Sequence, residues 1–199
     1  MHIRALYFDI GGIFFCEKDI SPVREWEKRL GLTAGQLQNI VFHSPFASKA
    51  WVGQATVDDV WNNAATHFTI SPEELEKLKD EFWAGWAWDT ELIAYVHSLK
   101  SKYKLGVISD AWPGVREGIK EYINGDTFDL RVFSSEEGLI KPHPELYQRA
   151  LSRLKVRPQE AIFFDDRLKN VEGAQAIGMT GAHITDPVQQ VRDIIEKLS

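Results

Sequence analysis

Acids, a serine and a lysine stand at the ends of short apolar runs in this sequence. Asp9 lies at the end of the first run, residues 3–10, and is followed by Gly11 and Gly12. Ser109 and Asp110 end the run 104–109, Lys141 follows the run 131–135, and Asp165 with Asp166 end the run 161–165. Carboxylates brought side by side stay ionised only with a compensating cation, and hard oxygen ligands of this kind suit Mg²⁺. Lys141, the Ser109 hydroxyl and the backbone N–H groups of Gly11 and Gly12 are suited to holding a phosphate oxyanion, with Asp110 beside them. A carboxylate next to a metal-bound phosphoryl group can attack it, which points to transfer through an aspartyl phosphate. Any one Asp or Ser after a strand is also an ordinary helix N-cap. Four strand ends with compatible chemistry in one chain favour a site.

For these residues to meet, the runs must be neighbouring strands. Residues 3–10 are apolar with few interruptions, the pattern of a strand buried on both faces of a parallel sheet. The runs 104–109, 131–135, 161–165 and 180–184 alternate with helical stretches of about a dozen residues, the spacing of βα units. The expected fold is therefore a Rossmann-like, doubly wound parallel α/β sheet, in which ligands bind outside the carboxyl ends of the strands. Helices are expected at 145–154, at 170–177 ending on Gly178, and from Pro187 with Asp186 as an N-cap acid. Residues 11–103 separate the first strand from the second, far more than the roughly 30 that a crossover needs. The excess has helical periodicity at 22–30, 33–42, 57–68 and 71–83, and Ser71-Pro72-Glu73-Glu74 is a capping box. This predicts an α-helical cap, residues 15–87, inserted into an α/β core made of residues 1–14 and 88–199, with 89–103 as the helix leading back.

Composition narrows the class. In 199 residues, 23 Lys and Arg face 29 Asp and Glu, a net charge of −6 without a charged tail, so a nucleic-acid partner is not expected. A single cysteine, Cys16, excludes an intramolecular disulfide. No apolar stretch approaches the 18 residues of a membrane span and no targeting segment is visible, so a cytoplasmic protein without a membrane partner is expected. Oligomeric state is not legible.

Tyr7-Phe-Asp9-Ile-Gly-Gly-Ile13, Val107-Ile-Ser109, Lys141-Pro142 and Phe163-Phe-Asp165-Asp166-Arg-Leu-Lys-Asn170-Val-Glu-Gly-Ala174 resemble the four ordered motifs of the haloacid dehalogenase-like (HAD) hydrolase superfamily. The resemblance spans essentially the whole chain, and the insertion after the first motif is similar to the helical cap of subfamily I. It implies a Mg²⁺-dependent phosphatase acting on a small phosphorylated metabolite, such as a sugar phosphate. Asp9 would be the nucleophile and a metal ligand, with Asp166, Asp165 and the Gly11 carbonyl completing the protein's share of the metal shell. Ser109 and Lys141 match phosphate-holding positions, Lys141 also neutralising Asp9, and Asn170 would orient the shell.

One position departs from the pattern. Phosphatases of this family usually carry a second Asp two residues after the nucleophile, as general acid and then base, and here that residue is Gly11. Such help is typically worth about 10²- to 10⁴-fold. The substrate can have a leaving group that needs less help, such as a sugar 1-phosphate or an acyl phosphate, or Glu17 or Asp19 can supply the proton. A 2-haloacid dehalogenase also lacks the second Asp, but the resemblance gives that enzyme no Mg²⁺ and neutral residues where Asp165 and Asp166 stand. A non-catalytic or very weakly active relative that only binds its ligand is the remaining alternative. A receiver-type signalling domain groups similar residues, but its paired acids come on the first strand and it has no inserted cap.

Of the 7 tryptophans, all but Trp112 fall between Trp26 and Trp88. Trp83, Trp86 and Trp88 mark the return from cap to core, where packing is the favoured reading over stacking on substrate, and Trp51, in the non-periodic stretch 48–53, is the better candidate for a substrate contact. His143 reads as a turn residue between two prolines, Arg167 as the start of a helix or a substrate contact, and Cys16 as a buried hinge residue.

Overall fold

A computed structural model describes residues 2–198. In chain order the elements are β1 (Ala5–Phe8), β2 (Phe15–Glu17), α1 (Ser21–Arg29), α2 (Gln36–Phe42), α3 (Pro45–Ala50), α4 (Val57–Ala65), α5 (Pro72–Phe82), β3 (Trp86–Trp88), α6 (Thr90–Ser98) and β4 (Lys104–Ser109). There follow α7 (Val115–Gly118), β5 (Leu130–Phe133), α8 (Ser134–Glu137), α9 (Pro144–Leu154), β6 (Ala161–Asp165), α10 (Leu168–Ala176), β7 (Thr180–His183) and α11 (Pro187–Glu196). Five strands form a parallel sheet in the order β5-β4-β1-β6-β7, the doubly wound α/β arrangement expected.

β1 is central because it is apolar on both sides. Leu6 and Phe8 face a layer that includes Leu92 and Val96 of α6 and Val191 and Ile195 of α11. Ala5 and Tyr7 face the opposite layer, with Leu146, Tyr147 and Ala150 of α9 and Ala174 of α10. A strand clamped this way has one stable register, since a one-residue slip would exchange both layers. The register pairs Phe8 with Val107 and with Phe164, so Asp9 comes level with Asp165 and one residue short of Ser109.

The helical segment α1 to α5 has a hydrophobic interior of its own, including Trp26, Leu37, Val41, Trp61, Leu78 and Phe82. Its entrances are set locally. At Ser71 the hydroxyl accepts from the Glu74 N–H while the Glu74 carboxylate accepts from the Ser71 N–H, which is the capping box expected there. Thr56 and Asp59 make the same exchange at the start of α4.

Several expectations are corrected. The stretch around Trp51 is not wholly irregular: α3 runs up to it, started by the Ser44 hydroxyl accepting from Ala47 N–H, and six residues are too few to show a helical period. An unforeseen antiparallel ribbon pairs Phe15, Cys16 and Glu17 with Trp88, Ala87 and Trp86, so the chain leaves and re-enters the α/β part as adjacent strands. Cys16 lies on this ribbon and is half-buried rather than buried. Asp186 makes no side-chain cap bond; the Gln190 side chain instead accepts from the Thr185 and Asp186 N–H groups. Trp112, in the loop after β4, is only 8 % exposed and packs into the interior of the helical segment rather than into the sheet. Its ring lies 5.1 Å from Trp51 and 5.7 Å from Phe42. Gly53, at φ +74°, also touches the α/β part, and a Cβ there would collide with the Ser135 carbonyl.

Candidate active site

The strand register delivers Asp9, Ser109, Asp110, Asp165 and Asp166 to one rim, and the loop before α9 brings Lys141 to them. Lys141 is 2 % exposed, with its Nζ 2.8 Å from Asp9 Oδ2 and 2.7 Å from Asp165 Oδ2. Burial works to lower its pKa, but the carboxylates of Asp9, Asp165 and Asp110 more than reverse this and hold the ammonium charged above the ordinary lysine range. The Lys141 N–H also donates to Asp110 Oδ1 at 2.9 Å, so Asp110 fixes the lysine's backbone while the other two acids fix its side chain.

Asp165 is fully committed. Its Oδ1 accepts from Arg167 N–H at 2.8 Å, its Oδ2 from Lys141, and the Asn170 amide donates to both oxygens at 3.1 Å. A carboxylate so occupied is suited to orienting its neighbours or to holding a metal-bound water. Asp9 and Asp166 are freer. Asp9 Oδ1 accepts from its neighbour Ile10 N–H at 2.7 Å, and Asp166 is half-buried beside Gly12. A Cβ on Gly12, which has φ +73°, would collide with the Asp166 carboxylate, so the glycine lets the first loop and this acid approach.

Oxygens of Asp9, Asp165 and Asp166 lie within 4.8 Å of one another, a little wider than the span of about 4.2 Å across an ion with bonds of about 2.1 Å, so a small inward shift of the side chains would close a shell around one ion. Burial raises the Asp165, Asp166 and Asp110 carboxyl pKa values above the ordinary range; Asp9 and Asp165 add repulsion at Asp166. One ammonium does not neutralise four acids. The donor set therefore fits a hard divalent cation such as Mg²⁺.

The buried Ser109 makes only a long bond, 3.5 Å, to the Asp110 carbonyl. The loop beyond it is gripped by Ser134, whose hydroxyl accepts from Ala111 N–H at 2.9 Å; nothing in the sequence pattern of Ser134 signals this. Asn170, which the resemblance implied would orient the metal shell, is hydrogen-bonded to Asp165, and its Oδ1 is buried without a partner among the described residues. Glu17 accepts from Gln38 and Asp19 from the Ser21 N–H; both acids are exposed, and neither belongs to the carboxylate group. His143 accepts from Glu145 N–H at the start of α9, the turn role expected of it. Arg167 is exposed and precedes α10, and burial raises the Cys16 thiol pKa, which leaves it a poor nucleophile.

The chain is similar to several known proteins. The sesquiterpene phosphatase astK of Aspergillus oryzae is 26% identical over 187 residues, covering 92% of this chain and 90% of that one. A glyceraldehyde 3-phosphate phosphatase of Pyrococcus furiosus is 38% identical over 82 residues, which are 40% of this chain and only 34% of that enzyme. Among solved structures, the HAD family enzyme BT-2542 of Bacteroides thetaiotaomicron, in complex with magnesium and inorganic phosphate, superimposes with a TM-score of 0.76 at 15% identity, over 95% of this chain and 98% of that one. A family model described as haloacid dehalogenase-like hydrolase matches residues 15–178, most of the chain, and this match and the shared fold make the protein a member of that hydrolase family.

Proposed function

We propose that the protein is a Mg²⁺-dependent phosphatase that hydrolyses a small organic phosphate through a phospho-Asp9 intermediate. The observation that carries this is the Lys141 ammonium held between Asp9 and Asp165 inside a group of three carboxylates. Relatives named as phosphatases, and a structural neighbour with magnesium and phosphate, support the same reading.

Asp9 and Asp166 would hold the ion with the Gly11 carbonyl, and Asp165 would act through a bound water, because its own oxygens are already taken. When bound, the ion supplies positive charge to the phosphate and to the carboxylates around it. Asp9 attacks phosphorus with Oδ1, which the Ile10 N–H orients, while Lys141 keeps Oδ2 in place. Ser109, Lys141 and the Gly11 amide receive the phosphate oxygens, fixed donors that need no rearrangement as charge develops; the Gly12 amide, expected from the sequence to join them, is instead taken by the Phe15 carbonyl at 3.0 Å. Asp110 is a positioning residue for Lys141 in this scheme. The helical segment, residues 15–87, acts as a cap over a core of residues 1–14 and 88–199, and its contact with the rim restricts water and selects substrate.

The dehalogenase reading is disfavoured because a halide displacement has no use for a third and fourth carboxylate at the rim. The test is Mg²⁺-dependent phosphate release from a generic aryl phosphate by the wild type and by Asp9→Asn. Release that requires both Mg²⁺ and Asp9 is expected. Equally slow release by the two proteins would leave a ligand-binding protein without turnover.

A further inference from the structure

Gly11 stands where a general acid is missing, and its surroundings say more than its identity. It has no positive φ, and a Cβ built on it meets nothing within 4 Å. Neither backbone geometry nor crowding excludes a side chain there. The space beside the nucleophile is therefore left open, and what lies next to it is aromatic.

Gly11 pairs with Phe15, and Gly12 N–H donates to the Phe15 carbonyl at 3.0 Å. From Phe15 a line of rings runs across the junction between the helical segment and the sheet. Phe15 is 6.2 Å from Trp83, Trp83 is 5.8 Å from Phe42, and Phe42 is 5.7 Å from Trp112. All but Trp112 are half-buried. Trp112 follows Asp110 by two residues, so the line begins at the loop of Asp9 and ends at the loop of Ser109. Near its two ends, the indole N–H groups of Trp86 and Trp112 are buried without an acceptor among the described residues. Buried indole N–H groups usually have one.

We propose that the substrate is an aryl phosphate: a phosphate monoester whose leaving group is a planar phenolic oxygen carrying a further oxygen acceptor. This rests on the phosphatase reading of the same site. Both anomalies then have one cause. A phenol has a pKa of about 10, as tyrosine does, so its anion departs without being protonated in flight, and no acid at residue 11 is required. The flat ring needs the space that such an acid would fill and finds aromatic faces beside it, while a ring oxygen supplies an acceptor for the Trp112 N–H. In the first step the bond from Asp9 Oδ1 to phosphorus forms as the bond from phosphorus to the aryl oxygen breaks, and the aryl oxygen leaves with the electron pair. In the second, water attacks phosphorus and restores the Asp9 carboxylate. One water proton stays on the phosphate and the other reaches the aryloxide through solvent.

The experiment compares phenyl, benzyl and acetyl phosphate with the wild type, Gly11→Asp, Trp112→Phe and Asp9→Asn. Phenyl and benzyl phosphate share a ring and differ in leaving-group acidity. Benzyl phosphate is expected to show a kcat/KM about 10²- to 10⁴-fold lower, the usual worth of a general acid, and Gly11→Asp should recover much of that loss for benzyl but not for phenyl phosphate. Acetyl phosphate has an acidic leaving group and no ring, so its KM should exceed that of phenyl phosphate by about 2- to 10-fold, a stacking contribution. With 3-hydroxyphenyl phosphate added to the comparison, Trp112→Phe should raise its KM more than that of phenyl phosphate, and equal rises would overturn the assignment of the ring oxygen to the Trp112 N–H. Equal kcat/KM for benzyl and phenyl phosphate, or an acetyl phosphate KM no higher than that of phenyl phosphate, would overturn the inference while the phosphatase reading stood. No Asp9-dependent release from any ester would overturn both.

Discussion

At the rim, Lys141, Asp165 and Asn170 are buried side by side, with the Asp165 carboxylate accepting from both the Lys141 ammonium and the Asn170 amide N–H groups. In the helical segment, the buried positions are mostly Trp26, Val41, Trp61, Leu78, Phe82 and small alanines, and its buried acid, Glu27, is paired with Arg24 and the Leu37 N–H at the edge. Charge fixes geometry at the rim, because the buried Lys141 ammonium and Asp165 carboxylate have specific partners and losing one leaves the other unpaired. Volume fixes geometry in the segment, where side chains of similar size can substitute. The rim should therefore be intolerant of single changes and the segment forgiving of many.

The largest effect should come from Asp9→Asn, which removes the nucleophile but leaves Lys141 paired with Asp165. Phosphate release should fall about 10³-fold or more, with an unchanged circular dichroism spectrum. Next, Lys141→Met keeps side-chain length and removes the charge, stranding Asp9 and Asp165. Urea unfolding should show a loss of roughly 3–5 kcal/mol. The matching change in the segment, Leu78→Met, should cost less than about 1.5 kcal/mol, and equal losses for the two would break the contrast. Ser71→Ala removes one half of a capping box on the surface of the segment and should cost about 1 kcal/mol.

The smallest effect is expected at Glu160. Its carboxyl pKa is pulled down to about 2 by hydrogen bonds from the Arg157 N–H and guanidinium, with the charges of Arg157 and Arg4 adding to this. A depressed folded-state pKa gives stability that is present above the ordinary glutamate value and lost as pH falls through the folded one. The difference in Tm between the wild type and Glu160→Gln should therefore shrink as pH falls from about 4.5 to about 2. A difference that stayed constant over that range would mean the ionised carboxylate contributes nothing beyond its neutral hydrogen bonds.

The same division explains what could be read from the sequence. Asp9, Ser109, Asp165 and Asp166 were legible because each sits at or just after the end of a run whose apolar character reveals a strand, and the parallel sheet does the rest; Lys141, in the loop before α9, was legible through the Lys141-Pro142 motif that follows the run 131–135. The capping box at Ser71 was legible because its two halves are three residues apart. The ribbon of Phe15–Glu17 with Trp86–Trp88 was not, since three residues show no period and the partner is distant in the chain. Asp186 misled because a good N-cap residue was outcompeted by the longer reach of Gln190. Nor could Gly12 announce that it makes room for Asp166, or Ser134 that it holds Ala111, because both depend on contacts between elements far apart in sequence.

Trp112 belongs by sequence to the loop that carries Ser109 and by packing to the interior of the helical segment. That makes the two parts hard to treat as interchangeable modules. A chimaera that took its helical segment from a relative would present a foreign socket to this tryptophan, and one that took the sheet from a relative would leave the socket empty. Productive recombination between such enzymes would have to move residue 112 together with the helices, although it lies outside their stretch of chain. Natural exchange of this segment should for the same reason leave its trace in two separated pieces of sequence.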